Sequence, residues 1–366
     1  ALRLAHMQPL RMAEVTEMKA DVVCGRDETI VLSNGFEIAV RIWGDLEASP
    51  ERPQDRWLAL HGWADNAASF DRFAPLLLQQ GATCVVAMDA AGHGRSGHRS
   101  TYHDVDNVAD VVGLAGNLGW TSFSLVGHSL GGCVAQAVAA TVPEKVLRLV
   151  VLEALGWFSH DGKGALSALR KKALEPAGVA GNKKSWTTYP DLEACAQRRA
   201  AQNMAGPMSV EDARVLVSRG TTPSVSGTGY VWSADAAIML TRIRPSEEFV
   251  TSILGGVKCP QALVLARDGL FKGASLPRLP LFSFFWGVAV TLAYWIIAGV
   301  HTVKTLGREP LRPEIPSKKT SIGSKVAFVY LLLCRRRVSQ QVCCSVFGRC
   351  VAVCVEGEIL IEQEIK

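Results

Sequence analysis

The sequence predicts an α/β fold: a mostly parallel sheet with helices on both faces. Three observations predict it. Short, almost continuously apolar runs alternate with helix-like segments between residues 57 and 152. Parallel strands covered on both faces need that texture, because each crossover helix buries a face. A serine flanked by glycines, Gly127-His128-Ser129-Leu130-Gly131, sits where one such run meets a helix-like segment. Of the 366 residues, 48% are hydrophobic and 20% charged, which allows a large core.

Taken in order, Thr29–Leu32 and Phe36–Trp43 flank Ser33-Asn34-Gly35 and read as a hairpin, since Asn-Gly favours a tight turn. Trp57–Leu60 reads as a buried strand, Phe70–Leu78 as a helix and Cys84–Met88 as the next strand. Val108–Leu118 is helical, Phe123–Val126 a strand, Leu130–Ala140 a helix of small residues and Leu149–Leu152 a strand. The texture then changes. Leu166–Leu174, Leu192–Met204 and Val210–Val217 read as helices with no clear apolar strand between them, and Ser209 with Asp212 makes a variant capping box. Ala262–Ala266 returns to strand character.

Gly127 to Gly131 fits G-x-S-x-G in the strand-to-helix setting that the motif requires. The tight turn forces the serine into strained backbone angles, and side chains two residues either side would collide there. The chain therefore reads as an α/β-hydrolase fold with Ser129 as nucleophile. The helix dipole beneath Ser129 favours a developing anion. In this fold the loop after the third strand and the residue after the nucleophile supply oxyanion N–H groups. Those positions are Trp63 and Leu130, with Gly127, His128, Gly131, His61 and Gly62 as elbow and pocket residues. His61 reads as structural, packing beneath the site. Asp89 to Ser96 reads as a turn and pocket wall. The acid is Asp268, after Ala262–Ala266, or Glu153, after Leu149–Leu152.

The segments His61 to Asp71, Ala87-Met88-Asp89, Gly92-His93-Gly94, Gly127 to Gly132 and Arg219-Gly220-Thr221-Thr222 carry a closer likeness. Over about residues 28–271 the chain resembles the serine hydrolase-like (kraken-type) proteins. The resemblance implies a helical cap and esterase-like activity. That family continues with a last sheet strand, a loop bearing the catalytic histidine and a final helix. Here the last strand and helix are not found, which leaves Ala262–Ala266 as an exposed sheet edge. After His160 the histidine that remains is His301, in Gly299-Val300-His301.

The expected organisation is an N-terminal extension (1–27), a first part of the core (28–153), a helical cap (154–256), a return to the core (257–272) and an atypical tail (273–366). Leu281–Val300 is long and apolar enough to cross a bilayer. Three readings of the tail stand open. It is a membrane-spanning helix with a basic, cysteine-rich extension, a buried helix replacing the missing elements, or a read-through product. Residues 1–20 lack the apolar stretch of a signal peptide, so the expected location is cytoplasmic or membrane-associated.

Other classes fit poorly. A net charge of +5 without a dense basic and aromatic patch argues against nucleic acid. The ten cysteines lack the spacing of a zinc site or a disulfide scaffold. Gly92-His93-Gly94 lacks the Lys-Ser/Thr ending of a phosphate loop, so no metal and no cofactor is expected. Epoxide and haloalkane chemistry on this fold uses an aspartate nucleophile, which Ser129 replaces. The expected function is a serine hydrolase acting on small-molecule carboxylic esters or thioesters. The alternative is a catalytically inactive member of the fold, tethered to a membrane through 281–300, because a base is hard to find.

Overall fold

In the computed structural model the described residues are 24–47, 53–160, 162–174, 187–202, 208–240 and 243–266, with 269, 271 and two short strands nearer the C-terminus. The chain opens with the hairpin β1 (Arg26–Val31) and β2 (Glu37–Gly44). Its turn uses Gly35 at φ 80°, and Asn34 Oδ1 accepts the Phe36 N–H at 3.0 Å. Next come β3 (Arg56–Leu60), a 3-10 turn (Ala67–Phe70), α1 (Phe73–Gln79) and β4 (Cys84–Met88). The single helix expected over 70–78 is therefore a 3-10 turn followed by a shorter helix. α2 (Asp106–Asn117), β5 (Phe123–His128), α3 (Leu130–Thr141) and β6 (Val146–Leu152) follow.

The segment after β6 carries α4 (Ala165–Leu174), α5 (Leu192–Ala201) and α6 (Val210–Gly220). Ser209 caps α6, its Oγ accepting the Asp212 N–H at 3.0 Å. The segment is not purely helical, which corrects the sequence reading. β7 (Thr221–Pro223) and β8 (Tyr230–Trp232) pair antiparallel as a separate two-stranded sheet. Each is three residues long, too short for alternation to register. α7 (Glu247–Gly256) and β9 (Gln261–Ala266) return the chain to the main sheet.

The main sheet runs β1-β2-β4-β3-β5-β6-β9 and continues through β11 (Cys350–Val353) to β10 (Val329–Tyr330). β4, β3, β5, β6 and β9 are parallel neighbours. The expectation that β9 forms an open edge is corrected: β11 pairs with it antiparallel, Ala352 opposite Leu265 and Val353 opposite Val264. A bare apolar strand presents unpaired N–H and C=O groups, and the short run Cys350–Val353 pairs with that edge. Among the described residues no further strand runs parallel to β9. The run 281–300 lies outside the described residues, and no described helix is long and apolar enough to cross a membrane.

Side-chain alternation divides the core. On β4, Cys84, Val86 and Met88 face the cluster that contains α2, α3 and α7, while Val85 and Ala87 face Phe70, Phe73 and Leu77. Both faces of the parallel strands are thus buried, as their continuous apolarity requires. Cys195, Ala196, Met208, Ala213, Leu216 and Val217 form a separate apolar cluster between α5 and α6. The chain passes from β3 to β4 on one side and then returns to place β5 on the other. This reversal of strand order falls between β3 and β5, and open α/β sheets bind ligands at the carboxyl ends of the strands at such a point.

Candidate active site

Three non-glycine residues among those described have positive φ: Ala64 at 61°, Ser129 at 49° and Glu153 at 52°. They follow β3, β5 and β6, three adjacent strands, at their carboxyl ends. Strained backbone of this kind costs about 1–3 kcal/mol per residue and collects at functional sites.

Ser129 has φ 49° and ψ −116°, and it begins α3 directly. Its N–H donates to Leu152 O at 2.8 Å, and its carbonyl accepts the Cys133 N–H at 3.1 Å. The flanking glycines are sterically required. A methyl group on Gly127 would lie 2.3 Å from Gly131 O, and one on Gly131 would lie 2.2 Å from Leu60 O. The serine therefore sits on a turn with no room for side chains on either side. Leu130 is the first residue of α3, so its N–H belongs to the set that has no partner within a helix.

The loop after β3 lies against this turn. A methyl group on Gly62 would stand 2.9 Å from His128 Nδ1, so His128 packs on the glycine that precedes Trp63. Burial pushes the His128 imidazole down to about 4; Asp65 opposes that shift, while His61 and Arg199 reinforce it. His61 is held at both ring nitrogens. Its Nε2 accepts the Ala90 N–H at 3.0 Å, and its Nδ1 lies 2.7 Å from Gly62 O. Only the neutral tautomer protonated on Nδ1 satisfies both contacts. Its Nε2 lone pair is occupied by the Ala90 N–H.

Pairing of His128 with Leu152 sets Ser129 and Glu153 side by side at the ends of β5 and β6. The Glu153 N–H donates to Val264 O at 2.8 Å, which fixes its backbone against β9. Asp268 and His301 lie outside the described residues. The described part thus brings together Ser129, Glu153, His128 and Gly62, with Trp63 the next residue of the loop.

Sequence reasoning missed a set of charged residues behind the loop. Asp89 is fully buried and accepts from the Ala67 N–H at 2.7 Å, the Arg95 N–H at 2.8 Å and Arg219 Nε at 2.9 Å. Arg219, on α6 and 1% exposed, also reaches Asp27 Oδ1 through Nη1 at 2.5 Å. Gly94 has φ 52°, and a methyl group there would lie 2.2 Å from Asp89 Oδ2. Arg199 on α5 pairs with Asp65 at 2.5 Å, and Arg72 pairs with Asp212 of α6. The Arg219-Gly220-Thr221-Thr222 motif was the available signal, though it did not disclose a partner.

Comparison with known proteins bears on the family and the fold. A family model described as the alpha/beta hydrolase fold matches residues 58–209. A serine hydrolase-like protein of Dictyostelium discoideum is 37% identical over 140 residues, which is 37% of this chain and 37% of that protein. A serine hydrolase-like protein of Danio rerio is 33% identical over 250 residues, covering 66% of this chain and 72% of its own. The match spans 62% of the corresponding Mus musculus protein, so the chain covers well under the whole of several of these relatives. Among solved structures, a hypothetical protein of Pseudomonas aeruginosa has a TM-score of 0.62 at 31% identity, covering 72% of this chain and 89% of that one. A thioesterase domain from the curacin biosynthetic pathway has a TM-score of 0.54 at 26% identity, covering 66% and 82%. With its elbow, its parallel sheet and these relatives, the chain belongs to the α/β-hydrolase superfamily, among the serine hydrolase-like proteins.

Proposed function

We propose that the chain hydrolyses small carboxylic esters or thioesters through Ser129. The observation that carries this reading is the backbone of Ser129, φ 49° and ψ −116°, on a turn that admits only glycine at Gly127 and Gly131. Such strain persists only where surrounding structure over-determines it, and here it lifts one hydroxyl above a helix N-terminus.

In this reading Ser129 Oγ attacks the acyl carbon while a base takes its proton. The N–H groups of Leu130 and Trp63 receive the oxyanion. The C–O or C–S bond then breaks, and the alcohol or thiol leaves with that proton. Water hydrolyses the acyl-enzyme by the same steps, releasing the carboxylic acid and restoring the serine. Glu153 or Asp268 supplies the acid that orients the base, and His301 is the candidate base. Residues 28–153 and 257–272 form the catalytic body, and 154–256 the cap that selects the acyl and leaving groups. The separate apolar cluster between α5 and α6 supports a cap with its own core. The solved thioesterase domain supports the inclusion of thioesters among the substrates.

Labelling with a fluorophosphonate probe tests the assignment. Labelling of the full chain that vanishes in Ser129→Ala is the expected result. Absence of labelling in folded protein would overturn it in favour of a silent member of the fold.

A further inference from the structure

Polar contacts from the inserted helices converge on one short stretch of the body, the loop 61–72. Trp63 Nε1 donates to Ile238 O at 3.4 Å, and Asn66 Nδ2 donates to Leu216 O at 2.9 Å. Asp65 is paired with Arg199, and Arg72 with Asp212. Asp89, which anchors the Ala67 N–H, is itself held by Arg219. These anchors lie on α5, α6 and the 3-10 turn Ala236–Met239, all sequence-distant from the loop. The loop itself has little internal regular structure: the Asp65 N–H to Gly62 O bond at 3.1 Å, the positive φ of Ala64, and the 3-10 turn that Asn66 caps. An irregular loop with a strained residue keeps one shape only if outside contacts impose it.

We propose that Arg199 is a positioning residue: through Asp65 it holds the loop 61–66, and with it the Trp63 N–H, in place above Ser129. The inserted segment then does more than select substrate; it completes the oxyanion site. Asp65 is the suited intermediary. Its carboxylate is 8% exposed, it begins two residues after Trp63, and its Oδ2 lies 3.5 Å from where a Gly62 methyl would stand, on the same side as His128. A charge-assisted pair of this kind is roughly twice as strong as a neutral hydrogen bond, and a buried carboxylate that loses its cation moves toward water. Arg199 is the position to perturb because it is about a fifth exposed, whereas Arg219 is buried and paired with both Asp89 and Asp27. The inference rests on Trp63 being an oxyanion donor, so its test needs a readout besides activity.

The experiment is hydrogen exchange of the full chain followed by mass spectrometry, comparing wild type with Arg199→Gln and Arg199→Lys. Exchange across 61–72 is expected to quicken about tenfold in Arg199→Gln, with β3, β5 and α3 unchanged, and to return toward wild type in Arg199→Lys. Fluorophosphonate labelling of Ser129 should slow in parallel. Unchanged exchange in 61–72, or faster exchange spread through the core, would overturn the positioning role. An Asp65→Asn variant provides the second view and should loosen the same peptide. If wild type does not label at all, the hydrolase reading fails, while the exchange data still decide whether Arg199 holds the loop.

Discussion

Replacing Arg219 by methionine tests the buried charge cluster most directly. Arg219 is 1% exposed and Asp89 is fully buried, so neither charge has water to turn to. Methionine keeps the length and apolar stem but removes the guanidinium. Breaking a buried pair by deleting one partner costs about 3–5 kcal/mol, because the other charge stays buried without compensation. Two features move the expectation to the low end. Asp89 keeps the Ala67 and Arg95 N–H groups, and Asp27, the second partner, is 33% exposed and can be hydrated. The expected loss is about 3 kcal/mol, or roughly 6–12 °C in Tm for a body of this size. Urea denaturation followed by tryptophan fluorescence reads the change, and a double variant with Asp89→Asn reads the coupling. Neutralising Asp89 should recover about 1 kcal/mol or more of the loss. An Arg219→Met protein within about 0.5 kcal/mol of wild type, or strict additivity in the double variant, would refute the argument.

Ser129→Gly should abolish fluorophosphonate labelling yet stabilise the fold. Relief of the strained φ and ψ is worth about 1–3 kcal/mol and is offset in part by glycine's extra freedom when unfolded, leaving a net gain of about 1 kcal/mol in thermal denaturation. Gly131→Ala puts a methyl group 2.2 Å from Leu60 O, a backbone atom that cannot step aside cheaply. The expected cost is about 1–3 kcal/mol with loss of labelling, and unchanged labelling would contradict the packing of the elbow. His128 predicts a pH dependence. Burial holds its folded value at about 4, below the ordinary 6.5, so the unfolded chain takes up the proton first. Its contribution to stability is complete above the unfolded value and is lost as pH falls from about 6.5 toward 4, by about 2 kcal/mol between pH 7 and 5. Denaturation curves at the two pH values should show that loss in wild type and much less of it in His128→Gln.

The elbow was legible because its constraint is local. Gly127, Ser129 and Gly131 answer to one turn, and the clashes that require glycine come from Leu60 and from the turn itself. The parallel strands were legible for a related reason: burial on two faces writes itself into a single run, as in Cys84–Met88. The hairpin β7–β8 was not, because three residues per strand carry no period. Nor was the pairing of β11 with β9. Cys350 to Val353 is a short apolar run, and nothing within it names the strand it meets some 85 residues earlier in sequence.

The charged cluster shows why the rest of the site resists sequence reading. Asp27, Asp89 and Arg219 are separated by 62 and 130 residues, and each alone looks like an ordinary surface residue beside a turn or on a helix. Their meaning arises only when β1, the loop after β4 and α6 meet. An isolated buried Asp89 would be costly; with Arg219 and two backbone donors it becomes the point from which Ala67, and so the loop that carries Trp63, is hung. The nucleophile of the proposed chemistry and the turn that holds it are therefore written locally, in the elbow. Those that make its geometry reproducible are written across the chain, in pairs that join the inserted helices to the sheet. That division predicts where variation should be tolerated. Exposed positions of α4, which buries none of its side chains, should accept substitution with little effect on labelling of Ser129, whereas Asp65, Asp89, Arg199 and Arg219 should not, although none of the four is assigned a step in the chemistry.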